Sequence, residues 1–369
     1  MHLYVHIPFC HRICPYCAFY KHTPGATDMK LFIRALAREA ESRATVLRQS
    51  KPGETTTLYF GGGTPSMLSD THLGHLMETL NELVPIDTLD EFSFEANPAT
   101  FTEKKVRFWR SLGMSRISLG VQSLDPDILR LLGREHTPAQ ALHSIDMLNH
   151  AGMPHINIDL MFAIPGQTLT VWEATLKEAV RAGTDHISAY NLTYEEDTEF
   201  YRSQQRGERT QDPDDDAAYF ELAEHILESA GMRHYETSNY AREGGQSPHN
   251  MAYWKGEDYV GIGPGAVSTI NGIRYSNTRD TDAYIRSTLE HGLPLSEQEP
   301  ITEEDYRLER IALMLRTDEG LPLTYILPES RHLTERYREL GLADISEGGR
   351  LILKGRGRLL VDAIAGELC

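Results

Sequence analysis

The chain has 369 residues, and 36 basic against 54 acidic side chains leave a formal net charge of −18. That balance excludes a sequence-nonspecific nucleic-acid binder, which needs a basic footprint, and no apolar run approaches the roughly 20 residues of a membrane-spanning helix. A hydrophobic content of 40% supplies a sizeable core, and the length predicts two domains, or one large α/β domain with an appendage.

LYVHI (3–7) opens a series of short β-like runs, each followed by an amphipathic helical stretch. The first helix is expected near 28–48, with Met29, Phe32, Leu36 and Ala40 on one face. TLYFG (57–61) leads through GGGTPS to a helix capped by Ser69, with Leu73, Leu76, Leu80 and Leu83 at helical spacing. EFSFE (91–95) precedes a helix that starts after Thr102 and stops at Gly113. RISLG (116–120) runs into QSLD and then a helix at 138–151, ended by Gly152. HINIDL (155–160) precedes IPGQT and a helix at 170–182, ended by Gly183. HISAY (186–190) precedes a polar excursion and a helix at 214–230, ended by Gly231. Glycine suits the left-handed position that closes a helix. The acidic run Asp212 to Asp216 reads as a solvated helix N-terminus.

Six strand–helix units predict an α/β fold with a parallel sheet and helices outside it. They are too few for an eight-fold barrel, so an open partial (β/α)6 barrel or a doubly wound sheet is expected. Glu95, Gln122, Asp159 and Asn191 fall at or just after strand carboxyl ends, the edge where such folds bind ligands. The division expected is 1–231 for this region, 232–300 for an irregular or antiparallel extension, and 301–369 for a small helical module. That module reads as helices at 303–316, 331–340 and 355–368 with a hairpin at Gly348–Gly349, a winged-helix-like set. Its mixed charge gives no ground for DNA binding.

The cysteines carry the first chemical signal. Cys10, Cys14 and Cys17 form a C-x3-C-x2-C spacing straight after the first strand, and Cys369 is the last residue, with no readable role. So few cysteines do not make a disulfide scaffold, and the N-terminal residues lack the pattern of a signal peptide. A reducing compartment, the cytoplasm, is expected. Three thiolates this close can converge on one metal centre. A structural zinc site would need a fourth ligand, for which His6, His11 and His22 are at hand. A [4Fe–4S] cluster on three cysteines would leave one iron open to a ligand.

This spacing, with Tyr16 before the third cysteine and a strand before the first, resembles the radical S-adenosylmethionine (SAM) superfamily. The resemblance implies that the open iron holds the amino and carboxylate groups of SAM and that one electron from the cluster cleaves it. HIPFC, GGGTPS, EANP, GVQSL, GREH and NIDLMFAIPGQT resemble, more narrowly, the family of oxygen-independent coproporphyrinogen III oxidase and the HemW haem chaperones, over nearly the whole chain. By that resemblance Tyr4, Gly62, Gly63, Thr64 and Glu95 contact SAM. Gln122, Arg134 and Asp159 match contacts to a second SAM in the oxidase, and Tyr16 and Thr193 match weaker positions there. Taken alone, each has a plainer use, as a tight turn, an ion-pair partner or a helix cap.

Two features separate oxidase from chaperone. The oxidase carries a further cysteine where this chain has Phe19, and an extension before the position of Tyr4, which here is preceded by three residues. His249-Asn250-Met251-Ala252-Tyr253-Trp254 resembles the H-N-x-x-Y-W motif associated with haem binding in the chaperones. Imidazole is a good haem ligand and aromatic rings pack on porphyrins; taken alone, a buried His packed with Tyr and Trp is the plainer reading, while the resemblance makes His249 the expected haem contact. GPGAVS (263–268) has Val267 where several chaperone sequences have His. The resemblance therefore implies a haem chaperone that binds a cluster, SAM and haem, and delivers haem to apo-haemoproteins of the respiratory chain. It is compatible with a homodimer and with peripheral membrane association. The oxidase itself and a non-redox zinc scaffold are the alternatives.

Overall fold

The computed structural model describes residues 1–48, 54–208 and 213–369. Asp212 of the acidic run lies outside the described residues, and the helix beyond it begins at Pro213. Six strands alternate with helices in the first half: β1 (His2–Ile7), β2 (Thr57–Gly62), β3 (Glu91–Ala96), β4 (Arg116–Gln122), β5 (His155–Phe162) and β6 (His186–Asn191). Six more follow: β7 (Arg233–Glu236), β8 (Asn239–Ala241), β9 (Tyr259–Ile262), β10 (Val267–Ile270), β11 (Ile273–Asn277) and β12 (Ser296–Pro300). The helix starts are chemically marked. Ser69 and Thr102 accept hydrogen bonds from the first-turn N–H groups of their helices, and Thr137 forms a capping box with Gln140. Gly113, Gly152, Gly183 and Gly231 end helices at positive φ.

The chain divides into two compact units, both discontinuous in sequence. The first comprises Met1–Asp159, Thr193–Arg209 and Asp258–Pro300. Within it β1, β2, β3 and β4 pair in parallel in that order. Five of the six β1 residues are buried, Tyr4 being the exception, as expected of a parallel strand covered on both faces. A finding not legible in the sequence is that β9 pairs with the other side of β1, again in parallel, with His2 opposite Tyr259. The antiparallel strands β10, β11 and β12 extend the sheet from there. Helices at Pro248–Lys255 and Thr281–His291 also break up the stretch expected to be irregular. A buried carboxylate, Glu39 on the first helix, ties the turn before β10 to the sheet. It accepts from Gly263 N at 2.9 Å, Asn277 Nδ2 at 2.9 Å and Tyr284 Oη at 2.8 Å, with Arg43 Nε at 3.2 Å balancing its charge.

The second unit comprises Leu160–Leu192, Thr210–Glu257 and Ile301–Cys369. Here β8 lies between β6 and β7, antiparallel to both. Helices over Leu169–Arg181 and Pro213–Ser229 pack together, and Trp172 Nε1 donates to Tyr219 O at 3.0 Å. The final segment has its own small core around Ile311, Leu315, Tyr337, Leu351 and Ile364. Its sheet is antiparallel, with β15 (Arg350–Leu353) between β13 (Leu321–Pro322) and β14 (Ala343–Ile345); the β14–β15 hairpin turns through Gly348–Gly349 as expected. The last helix is broken at Leu360 into Arg356–Leu359 and Val361–Leu368.

Candidate functional site

The cysteine loop leaves β1 and is pinned at both ends by backbone. Cys10 N donates to His22 O at 3.0 Å, and His22 N to Pro8 O at 2.9 Å. A second clamp holds its far side: His22 Nδ1 donates to Thr23 O, so its Nε2 accepts from Thr281 Oγ1 at 2.7 Å; the Tyr20 and Thr281 hydroxyls meet at 3.0 Å, and His6 Nε2 donates to Tyr20 O at 2.9 Å. Cys10, Cys14 and Cys17 are all half-buried. Burial pushes the thiols of Cys10 and Cys17 above their ordinary range, and Lys21 pulls against that shift. Pro15 O accepts from Phe200 N at 3.1 Å, and burial holds the Tyr16 phenol far above its usual value.

The turn after β2 packs against this loop, and its glycines are demanded by the chain itself. A Cβ on Gly62 would sit 2.4 Å from the His6 ring, and one on Gly63 would sit 2.7 Å from Phe9 O. Every N–H of the turn is already used: Gly62 N on Glu95 Oε2 at 3.0 Å, Gly63 N on Ile7 O and Thr64 N on Phe9 O, both at 2.8 Å. What this turn can present to a ligand is therefore carbonyl oxygen, which suits an ammonium group.

Two groups of side chains flank the turn. In the first, Glu95 accepts from Tyr59 Oη at 3.0 Å, and Tyr4 packs beside Tyr59 with ring centres 6.0 Å apart. Gly61 leaves room for both, since a Cβ there would lie 2.8 Å from Glu95 Oε1 and 3.0 Å from Tyr4. Burial, and then the Asp159 carboxylate, hold the Glu95 pKa up at about 7. Asp159 is not at a strand end: β5 runs on to Phe162, and Asp159 accepts from Ser118 Oγ at 3.0 Å and Asn157 Nδ2 at 2.9 Å. Tyr4 Oη lies 3.0 Å from His6 Nδ1, and burial depresses the His6 pKa to about 4, so this imidazole is neutral.

The second group faces the cysteines. Arg134 donates from Nη2 to Asn97 Oδ1 at 2.6 Å and to Gly120 O at 2.5 Å, and from Nη1 to Cys14 Sγ at 3.7 Å. Thr64 Oγ1 donates to Cys10 Sγ at 3.6 Å. Gln122 sits beside Arg134 above Gly120, at a φ of +66 that few non-glycine residues adopt. Next to them opens a cavity of 330 Å³ lined by Cys14, Thr64, Asn97, Thr100, Arg134 and His136, among others. That is within the roughly 300–1,000 Å³ of small-molecule sites. The buried Arg134 Nε makes no hydrogen bond, which suits an anionic ligand group. Asn97, Tyr59 and Ser118 belong to this network although the sequence reading gave them no role. Position was the available signal for Asn97, two residues beyond Glu95 and just past the end of β3.

The remaining expected residues lie elsewhere. Thr193 is exposed in the loop after β6. His249 is 2% exposed, with its ring edge-on to Tyr253 at 5.0 Å, and Trp254 packs on Tyr235, Ala241 and Met251. In this conformation His249 offers no face to a porphyrin. The histidines available to a zinc site are engaged: His6 with Tyr4 and Tyr20, His22 with Thr23 O and Thr281, and His11 with Glu135 at 3.0 Å.

A family model described as the radical SAM superfamily matches residues 4–179, which contain the cysteine loop and the turn after β2. The heme chaperone HemW of Mycobacterium tuberculosis (strain ATCC 25618 / H37Rv) is 36% identical over 99% of this chain and 94% of its own length. The chain belongs to the HemW family of radical SAM proteins. Bacillus subtilis (strain 168) HemW is 35% identical over 86% of this chain and 84% of its own. The HemW fold is also that of coproporphyrinogen III oxidase (HemN) from Escherichia coli, a radical SAM enzyme. That structure superposes with a TM-score of 0.83 over 99% of this chain and 89% of its own, at 23% identity. The fold is thus the α/β fold expected, as an open sheet with a C-terminal helical module. Among the described residues no helix is long and apolar enough to cross a membrane.

Proposed function

We propose that this protein is a haem chaperone that holds a [4Fe–4S] cluster on Cys10, Cys14 and Cys17, binds SAM beside it, and passes haem to apo-haemoproteins such as those of respiratory chains. The observation that carries the reading is the joining of the three-cysteine loop to the polar cradle, through Thr64 on Cys10 and Arg134 on Cys14. The HemW name of the relatives supports the haem part. When bound, the cluster supplies an electron and an open iron for the amino acid end of SAM. The chain's own residues do the rest. Carbonyls of the Gly62–Thr64 turn would accept from the SAM amino group, and Arg134 would steer an anionic group through its unused Nε. Tyr4 and Glu95 shape the adjoining wall, and Gln122, Asp159, Tyr16 and Thr193 are the candidates for a second ligand site. Haem is assigned to no residue here, because His249 is buried.

Phe19 in place of a further cysteine favours the chaperone over the oxidase. The engaged histidines speak against the zinc scaffold. A cytoplasmic place, a homodimer and peripheral membrane contact remain part of the proposal. The test is anaerobic reconstitution followed by two assays. Haem titration and transfer to an apo-acceptor are expected to succeed. Robust formation of protoporphyrinogen from coproporphyrinogen III, reductant and SAM would overturn the chaperone reading.

A further inference from the structure

We propose that Asn97 is a positioning residue that fixes the hydrogen bonds to two of the three cluster sulfurs and so sets the reduction potential of the cluster. The proposal rests on the reading that Cys10, Cys14 and Cys17 hold that cluster.

A continuous polar bridge joins Cys10 to Cys14, and Asn97 is its keystone. Thr64 Oγ1 donates to Cys10 Sγ at 3.6 Å, and Asn97 Nδ2 donates to Thr64 Oγ1 at 3.1 Å. On the other side Asn97 Oδ1 accepts from Arg134 Nη2 at 2.6 Å, and Arg134 Nη1 donates to Cys14 Sγ at 3.7 Å. The directions are forced. A cluster-bound cysteine is a thiolate and only accepts, so the single hydroxyl proton of Thr64 points at Cys10. Thr64 must then accept from Asn97, which turns the amide nitrogen toward Thr64 and the carbonyl toward Arg134. Arg134 has only donors, so it meets that carbonyl with no conflict. Aspartate at 97 would break the sequence, since its carboxylate would compete with Cys10 for the Thr64 proton.

Cys17 stands outside this bridge; its hydrogen bonds come from the backbone N–H of Phe19 and from the Lys21 side chain, not through Asn97. The Phe19 donor is fixed by the loop and Lys21 is held by the loop's own Cys17 O, whereas Thr64 and Arg134 need a third group to hold them. Asn97 does that for both at once, anchored just past the end of β3 with its own N–H on Ser66 Oγ at 3.4 Å. Hydrogen bonds to cluster sulfurs withdraw charge and favour the reduced cluster. Loosening two of them shifts the potential to more negative values.

The test is a potentiometric titration, followed by electron paramagnetic resonance, of anaerobically loaded wild type, Asn97→Ala, Asn97→Ser, Thr64→Val and the Asn97→Ala/Thr64→Val double variant. Iron and sulfide are counted first. The single variants are expected to load and to be harder to reduce. At the wild-type midpoint the reduced-to-oxidised ratio should fall roughly tenfold in Asn97→Ala, which is 59 mV for a one-electron couple. In the double variant the two shifts should not add, because Asn97 acts partly through Thr64. Loaded Asn97 variants with the wild-type potential, or fully additive shifts, overturn the proposal. If Asn97→Ala fails to load, Asn97→Ser decides by the same criteria. Failure of both to load beside a loaded wild type marks Asn97 as merely structural and overturns it too. A wild type without iron and sulfide refutes the cluster reading itself, and this inference with it.

Discussion

Two segments stand out in the sequence by motif: the cysteine loop at 10–17 and the HNMAYW helix at 248–255. The structure treats them in opposite ways. The cysteines are half-buried beside a 330 Å³ cavity, with side-chain donors aimed at two of the sulfurs. His249 is sealed at 2% exposure, with its ring edge-on to Tyr253. A close spacing of cysteines keeps the thiols together in one loop, and the structure leaves them partly exposed there. A motif of one imidazole and two aromatic rings does not by itself locate a site, since the same residues make a well-packed interior.

The comparison breaks first at the cysteines. Replacing Cys10, Cys14 or Cys17 with alanine should cut bound iron and sulfide roughly tenfold or more, while Cys369→Ala leaves both unchanged. Zinc without sulfide in the wild type would restore the scaffold alternative. Next comes Arg134. Loss of a buried charged donor costs about 1.5–3 kcal/mol, so Arg134→Ala should weaken SAM binding to the loaded protein about ten- to a hundred-fold by calorimetry. Unchanged affinity would remove Arg134 from the site. His249→Ala is expected to lower unfolding stability by about 1–3 kcal/mol and to leave the Soret shift on haem titration intact. Loss of that shift in a folded variant would make His249 the ligand and require the helix to open.

Smaller effects sharpen the picture. A carboxyl held at about 7 against an ordinary 4.5 keeps its proton longer in the folded state than in the unfolded one. The contribution of Glu95 to stability therefore falls as pH rises from about 4.5 to about 7. Thermal midpoints of wild type should decline relative to Glu95→Gln across that window, and a pH-independent difference would count against the buried acid. His11→Ala removes an exposed hydrogen bond to Glu135, so stability should stay within about 0.5 kcal/mol and metal content should not move.

Much of the strand–helix series was legible. Strand–helix alternation, the Ser69 and Thr102 caps and the four closing glycines are local signals, and local chemistry decides them. The parallel pairing of β9 with β1 was not, because four residues in a Gly-, Tyr- and Asn-rich stretch carry no mark of the strand they will meet. At the site, Cys10, Gly62, Glu95 and Arg134 stood out as types at positions. Asn97 did not, for its role depends on having Thr64 on one side and Arg134 on the other, a matter of angles rather than of spacing.

The clamp on the cysteine loop also sets a clock. Tyr20 and His22 are held by Thr281, and β1 is flanked by β9, so the loop is fastened by residues made some 260 positions later. At about 5–20 residues per second, a ribosome needs roughly ten seconds to a minute between the two. During that interval β1 and β2 can already pair and the backbone bonds of Cys10 and His22 can form, yet the far side of the loop lacks its clamp. If the three cysteines hold the proposed cluster, delivery to a nascent chain would meet an unfinished receptacle until the polypeptide has passed position 281.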